Sequence, residues 1–110
     1  MIYVASPYTT NNRRILEWRK RAVCKYVERL LKYGIAAYSP IVHTIGLSRY
    51  SKRLPMKFRY YAKVDRDMLS VAKELHVLML PGWRESVGVI QEIIWALERK
   101  IPIKLIPYES

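Results

Sequence analysis

The sequence predicts an α/β fold: a small doubly wound parallel sheet, flavodoxin-like or Rossmann-like, with about four to five strands and flanking helices. Three observations predict it. Short apolar runs recur at residues 1–5, 35–38, 75–80 and 101–106, bounded by turn residues such as Ser6-Pro7, Ser39-Pro40 and Pro81-Gly82. Longer stretches between them repeat apolar side chains at the helical period. The elements alternate as β-α-β-α-β-α-β, and strand–helix–strand units of this length imply right-handed parallel crossovers. With 110 residues the chain makes one domain, residues 1–110, around one core.

Residues 1–5, Met-Ile-Tyr-Val-Ala, read as a central strand. Residues 6–12 are a turn-rich loop in which Asn11 or Asn12 can cap the next helix. That helix is expected over residues 13–33, with Ile15, Leu16, Ala22, Val23, Tyr26, Val27, Leu30 and Leu31 on its apolar face and Gly34 as its terminator. Residues 35–38 form a second strand, closed by Ser39-Pro40. Residues 41–55, with His43, Gly46 and Pro55, read as a long polar loop of the kind that binds ligands. A helical pattern returns from about Met56 to Lys73, with Tyr60, Tyr61, Val64, Met68 and Ala72 near one face and Asp65 and Asp67 interrupting it. Residues 75–80 are a buried strand. Pro81-Gly82 turns the chain, Ser86 caps a helix running to about Lys100, and residues 101–106 are the last strand.

Composition narrows the function classes. Apolar residues make up 51%, which excludes a disordered chain. No apolar run approaches the ~20 residues that span a bilayer, and the N-terminus has no basic region of a signal peptide. Cys24 is the one cysteine, so there is no intrachain disulfide; within a helical pattern it is expected as a buried thiol. These features fit a cytoplasmic protein. The net charge is +11, from 20 Lys and Arg against 9 Asp and Glu, which suits an anionic partner: a phosphorylated small molecule or a nucleic acid. The basic residues are spread along the chain and no nucleic-acid module signature is present. No His, Cys and carboxylate cluster has metal-ligand spacing, so neither a metal nor another cofactor is expected.

In such a sheet the loops after the strands share one edge, where ligands bind. That edge gathers Ser6, Tyr8 and Thr9, then residues 39–43, then Gly82 to Ser86. Tyr3 lies in the first strand, Glu92 in the helix after the third, and Asp67 in the helix leading into it. A serine at a helix N-terminus offers backbone donors to a phosphate. Each residue also has a plainer reading. A lone Glu on an amphipathic helix is usually solvated, Asp67 can pair with Lys63 or Arg66, Tyr3 can be a core tyrosine, and a lone loop histidine such as His43 is usually surface.

Several pieces together resemble a known superfamily. They are Ile2-Tyr3-Val4-Ala5-Ser6-Pro7-Tyr8, Tyr38-Ser39-Pro40-Ile41-Val42-His43, Asp67-Met68-Leu69, and Ser86-Val87-Gly88-Val89 with Glu92 and Ala96. The chain resembles the nucleoside 2-deoxyribosyltransferase superfamily, most of all the branch of 2′-deoxynucleoside 5′-monophosphate N-glycosidases and their small relatives. The resemblance implies that Glu92 is a nucleophile attacking the anomeric carbon, that Asp67 assists departure of the base, and that Tyr3 orients the nucleophile. Ser6, Tyr8, Ser86, Gly88 and Arg13 would bind substrate and its phosphate, with His43 and Asp65 as further candidates. Members acting on free nucleosides carry an acidic residue where this chain has Ser86, so a nucleoside monophosphate is the expected substrate. A homodimer or higher homo-oligomer is implied too. Many relatives use further C-terminal residues to complete a neighbouring subunit's site, so the end of this chain at Ser110 speaks against efficient catalysis, and against transfer especially. Two other readings compete: a non-catalytic nucleotide sensor on the same fold, and a basic nucleic-acid-associated protein in which Glu92 is incidental.

Overall fold

A computed structural model of the chain describes residues 1–51 and 58–108, with residues 58–60 as backbone alone. Four strands, β1 (Ile2–Ala5), β2 (Ala37–Tyr38), β3 (Glu74–Met79) and β4 (Ile103–Pro107), form one parallel sheet in the order β2-β1-β3-β4. Among the described residues four α-helices flank it: α1 (Arg13–Lys32), α2 (Pro40–Ser48), α3 (Phe58–Ser70) and α4 (Val87–Glu98). This is the expected small doubly wound sheet. The order reverses between β1 and β3, and that reversal opens a crevice at the carboxyl ends of the two strands.

Both faces of the sheet are covered, as its two-residue side-chain period requires. Ile2 and Val4 of β1 pack with Ala22, Val23, Tyr26 and Leu30 of α1. Tyr3 and Ala5, pointing the other way, pack with Leu69 of α3 and with Val89 and Ala96 of α4. Leu75 and Val77 of β3 join that second cluster, and Leu78 joins the first. The central strands are apolar on both sides because both sides are buried. No helix of the described residues is long and apolar enough to cross a membrane.

The helix ends follow local chemistry. Asn12 caps α1, its side chain accepting the N–H groups of Arg14 and Ile15 at 2.9 and 3.1 Å. Gly34, at φ 71°, closes α1 in a Schellman motif: Ile35 N–H reaches Leu30 O at 3.0 Å and Gly34 N–H reaches Leu31 O at 2.9 Å. The same motif closes α4, with Lys100 at φ 57° in the position that favours glycine and Ile101 N–H on Ala96 O at 2.9 Å.

Several expectations need correction. Part of the stretch read as a loop is α2. Ser39 is its N-cap, accepting Val42 N–H at 3.2 Å, and Pro40 opens its first turn, where a missing N–H costs nothing. The second strand shrinks to Ala37–Tyr38. Ile15 and Leu31 are exposed, because the α1 face that meets the sheet centres on Val23, Tyr26 and Leu30. Cys24, one residue and about 100° around the helix from Val23, is exposed rather than buried. Val64 is exposed too, since α3 packs through Met68 and Leu69 near its end. Pro55, Met56 and the Tyr60 side chain lie outside the described residues.

Candidate functional site

A cleft of about 270 Å³ opens at the carboxyl ends of β1 and β3. Ser6, Tyr8 and Thr9 reach it from the loop after β1, Pro40, Ile41 and Thr44 from α2, and Tyr61 and Asp65 from α3. The rest of the wall is Val4 of β1 together with α4 and its cap: Ser86, Gly88, Gln91, Glu92 and Trp95. On a helix, positions 88, 92 and 95 share one face, so α4 lays that face along the cleft.

Glu92 sits in the second turn of α4, only 9% exposed, and accepts a hydrogen bond from the Tyr3 hydroxyl on Oε2 at 2.5 Å. Tyr3 is fully buried in β1. Burial pushes the Glu92 carboxyl up to about 8; the Tyr3 hydrogen bond pulls it back, and the Asp65 charge adds to the rise. Burial, with the Glu92 charge behind it, also drives the Tyr3 phenol far above the usual range. Tyr3 therefore stays a neutral donor, fixing one carboxyl oxygen and leaving the other for chemistry.

Asp65 faces this pair across the cleft. Burial raises its carboxyl to about 6, against the lowering effects of a hydrogen bond from Tyr38 and of nearby His43. Tyr38 Oη donates to Asp65 Oδ1 at 3.2 Å and lies 3.3 Å from His43 Nδ1. The Tyr38 ring also leans on Tyr3, with centroids 5.6 Å apart. Two carboxyls thus border one cleft, each held by its own tyrosine.

Ser6 and Ser86 mark the other end. Ser6 is 7% exposed, and its hydroxyl has no hydrogen-bond partner among the described residues. Ser86 caps α4, accepting Val89 N–H at 3.3 Å. An unpaired buried hydroxyl beside a helix N-terminus is a place where a ligand oxygen removes a polar deficit. Arg19 fixes this end. Its guanidinium donates to Tyr8 O and Thr9 O at 3.4 and 3.1 Å and to Pro81 O at 3.1 Å, joining the loops after β1 and β3. Gly82, at φ 92°, lets the chain pass: a Cβ there would stand 2.6 Å from an Arg19 nitrogen.

The structure brings Tyr3, Ser6, Tyr8, Asp65, Ser86, Gly88 and Glu92 to or against the cleft. It does not bring Asp67 there. Two residues beyond Asp65, about 200° around the helix, Asp67 faces solvent and pairs with Lys63 at 3.6 Å. Arg13, the first residue of α1, is exposed and is not among the lining residues. His43 is exposed on α2 and meets the site through Tyr38. The sequence reading passed over Tyr38, Arg19, Gln91 and Trp95. Trp95 carried a usable signal, being one helical turn past Glu92. Arg19 carried none, as one of many basic residues on the polar side of α1.

Among the described residues no group of three or more His, Cys, Asp or Glu side chains could hold a metal ion. No curated protein sequence matches the chain. Residues 1–107, nearly its whole length, match the family described as Domain of unknown function (DUF1937), and the chain belongs to that family.

Proposed function

We propose that this protein cleaves the N-glycosidic bond of a (deoxy)nucleoside 5′-monophosphate, by hydrolysis or transfer, with Glu92 as nucleophile and Asp65 as the acid. The supporting observation is the order of groups along α4. At ~1.5 Å of rise per residue, Glu92 lies about 9 Å beyond Ser86, and Trp95 about 14 Å beyond it. The cleft wall therefore reads serine and helix N-terminus, then carboxylate, then indole. A nucleoside monophosphate presents phosphate, anomeric carbon and aromatic base in that order.

In this reading Glu92 attacks the anomeric carbon, the electrons of the C–N bond leave with the base, and Asp65 protonates the departing nitrogen. Water then opens the glycosyl ester. Tyr3 holds Glu92 in place throughout. Asp65 and Glu92 share one proton across the neutral range, and the competent form carries it on Asp65. Positive charge developing at the sugar favours ionised Glu92 and so that form. A non-catalytic nucleotide binder is the second reading, favoured by the burial that raises the Glu92 carboxyl to about 8 and so holds a proton on it near neutral pH.

We also propose a cytoplasmic homo-oligomer. Val87, Ile90, Ile94 and Leu97 form an exposed apolar stripe on α4, opposite the face that lines the cleft. A helix apolar on all sides is normally covered, and α4 carries no Lys or Arg to repel a second copy of a +11 chain. Light scattering at tens of micromolar should give at least a dimer, and Ile90→Glu with Leu97→Glu should give a monomer; a monomeric wild type removes the proposal. The enzyme reading is tested by incubating the protein with nucleosides and their monophosphates and assaying free base by chromatography. Release from monophosphates is expected. Equal release from nucleosides would sink the phosphate preference.

A further inference from the structure

We propose that His43 and Tyr38 form a proton relay connecting Asp65, inside the cleft, with solvent. The proposal rests on the reading of Asp65 as the acid of the N-glycosidase. Tyr38 stands at the carboxyl end of β2 with its hydroxyl between two partners, Asp65 Oδ1 at 3.2 Å and His43 Nδ1 at 3.3 Å. One partner lines the cleft and the other is exposed. A phenol has a single proton. When Tyr38 gives it to the Asp65 carboxylate, the contact with His43 is a hydrogen bond only if Nδ1 carries the hydrogen. When Asp65 holds the proton, both bonds reverse: Asp65 donates to Tyr38, and Tyr38 donates to His43.

The exchange balances. A His43 Nδ1–H bond breaks as an O–H bond forms on Tyr38; the original Tyr38 O–H bond breaks as one forms on Asp65 Oδ1. Imidazolium and carboxylate become imidazole and carboxylic acid, and Tyr38 is a phenol before and after. Nε2 keeps its hydrogen throughout, so the exposed ring reloads when Nδ1 swings from Tyr38 to water and takes a proton there; histidine is the side chain whose charge changes near neutral pH.

Glu92 from α4 and Tyr3 from β1 also face Asp65, but they are buried and bonded to each other. Tyr61, on the helix of Asp65, and Tyr8, after β1, line the same cleft. Among the described residues no Lys or Arg lines the cleft, and the His43 charge is the one that lowers the Asp65 carboxyl. A nucleotide filling the cleft would cut Asp65 off from bulk water, and the path through Tyr38 would remain.

The test uses Tyr38→Phe, which keeps the ring against Tyr3, and His43→Ala. Carbon-13 carboxyl resonances of aspartate-labelled protein follow Asp65 directly. In the wild type its titration should show a second step at the midpoint of the His43 ring; in Tyr38→Phe that step should shrink to the part that the His43 charge alone exerts. A wild-type curve with no step at the His43 midpoint, or an unchanged curve in Tyr38→Phe, overturns the relay. On nucleoside monophosphates, each substitution should slow base release about tenfold, below the ~100-fold cost of losing a general acid itself. Added imidazole should restore His43→Ala and leave Tyr38→Phe slow; failure of that rescue also overturns the relay. If the wild type releases no base from any nucleotide, the N-glycosidase reading falls, and the titration still decides the relay.

Discussion

Glu92→Gln is expected to stabilise the protein while abolishing its activity. A carboxyl whose folded pKa exceeds its unfolded one costs nothing at low pH, where both states hold the proton. It costs more as pH climbs toward the folded value. For Glu92 the rise is from 4.5 to about 8, caused chiefly by burial. Each unit is worth about 1.4 kcal/mol, so ionisation in the unfolded chain costs the wild type about 3 kcal/mol at pH 7 and about 5 kcal/mol above pH 8. Glutamine is neutral in both states, and its carbonyl oxygen can accept the Tyr3 hydroxyl as the protonated acid does. The variant should match the wild type near pH 4 and exceed it by about 3 kcal/mol at pH 7, a rise in Tm of about 12 °C or more for a domain of this size. Urea or thermal unfolding of both proteins from pH 4 to 9 measures this, and base release in the same samples should fall by orders of magnitude. A stability difference that does not change between pH 5 and 8, or a variant weaker than the wild type at pH 8, would refute the reasoning.

Other outcomes follow from the same geometry. Asp65→Asn should slow substrates with poor leaving bases most, while Asp67→Asn, which touches only exposed Lys63, should leave turnover unchanged and shift stability by less than about 0.5 kcal/mol; comparing kcat across bases of different leaving ability separates them. Ser86→Asp should keep the α4 cap but repel a phosphate, lowering affinity for monophosphates relative to nucleosides at least tenfold by calorimetric titration. Lys100→Gly should stabilise the fold by about 0.5–1 kcal/mol in urea unfolding, because the left-handed backbone there favours glycine.

The sheet, its order of elements and most helix ends were legible because each rests on local chemistry: apolar runs of strand length, Asn12 and Ser86 as caps, Gly34 as terminator. The helix α2 was missed because Ser39-Pro40 was read as the end of a strand. The same pair is also an N-cap followed by a proline at the first helical position, and that role prevailed. The choice between Asp65 and Asp67 was one of helix phase. Taking Tyr60, Tyr61, Val64, Met68 and Ala72 as the inward face left the phase loose. Anchoring it on Leu69, which is buried, puts Asp65 four residues earlier on that same face and turns Asp67 outward. Contacts such as Tyr38 with Asp65, or Arg19 with Pro81, join residues 27 and 62 positions apart, and no local pattern announces them.

The Arg19 guanidinium makes α1 a lever on the cleft. The helix packs on the far face of the sheet and contributes no residue to the lining, yet it holds both loops at the serine end. Arg19 lies 15 residues before Gly34, about 22 Å along the axis. A tilt of about 5° around the glycine end would move the guanidinium by about 2 Å at that radius, and the carbonyls of Tyr8, Thr9 and Pro81 would move with it. The width of the serine end is thus set partly by how Val23, Tyr26 and Leu30 seat against the sheet. Repacking beneath α1 is therefore a way to retune ligand size from behind, with every lining residue left as it is.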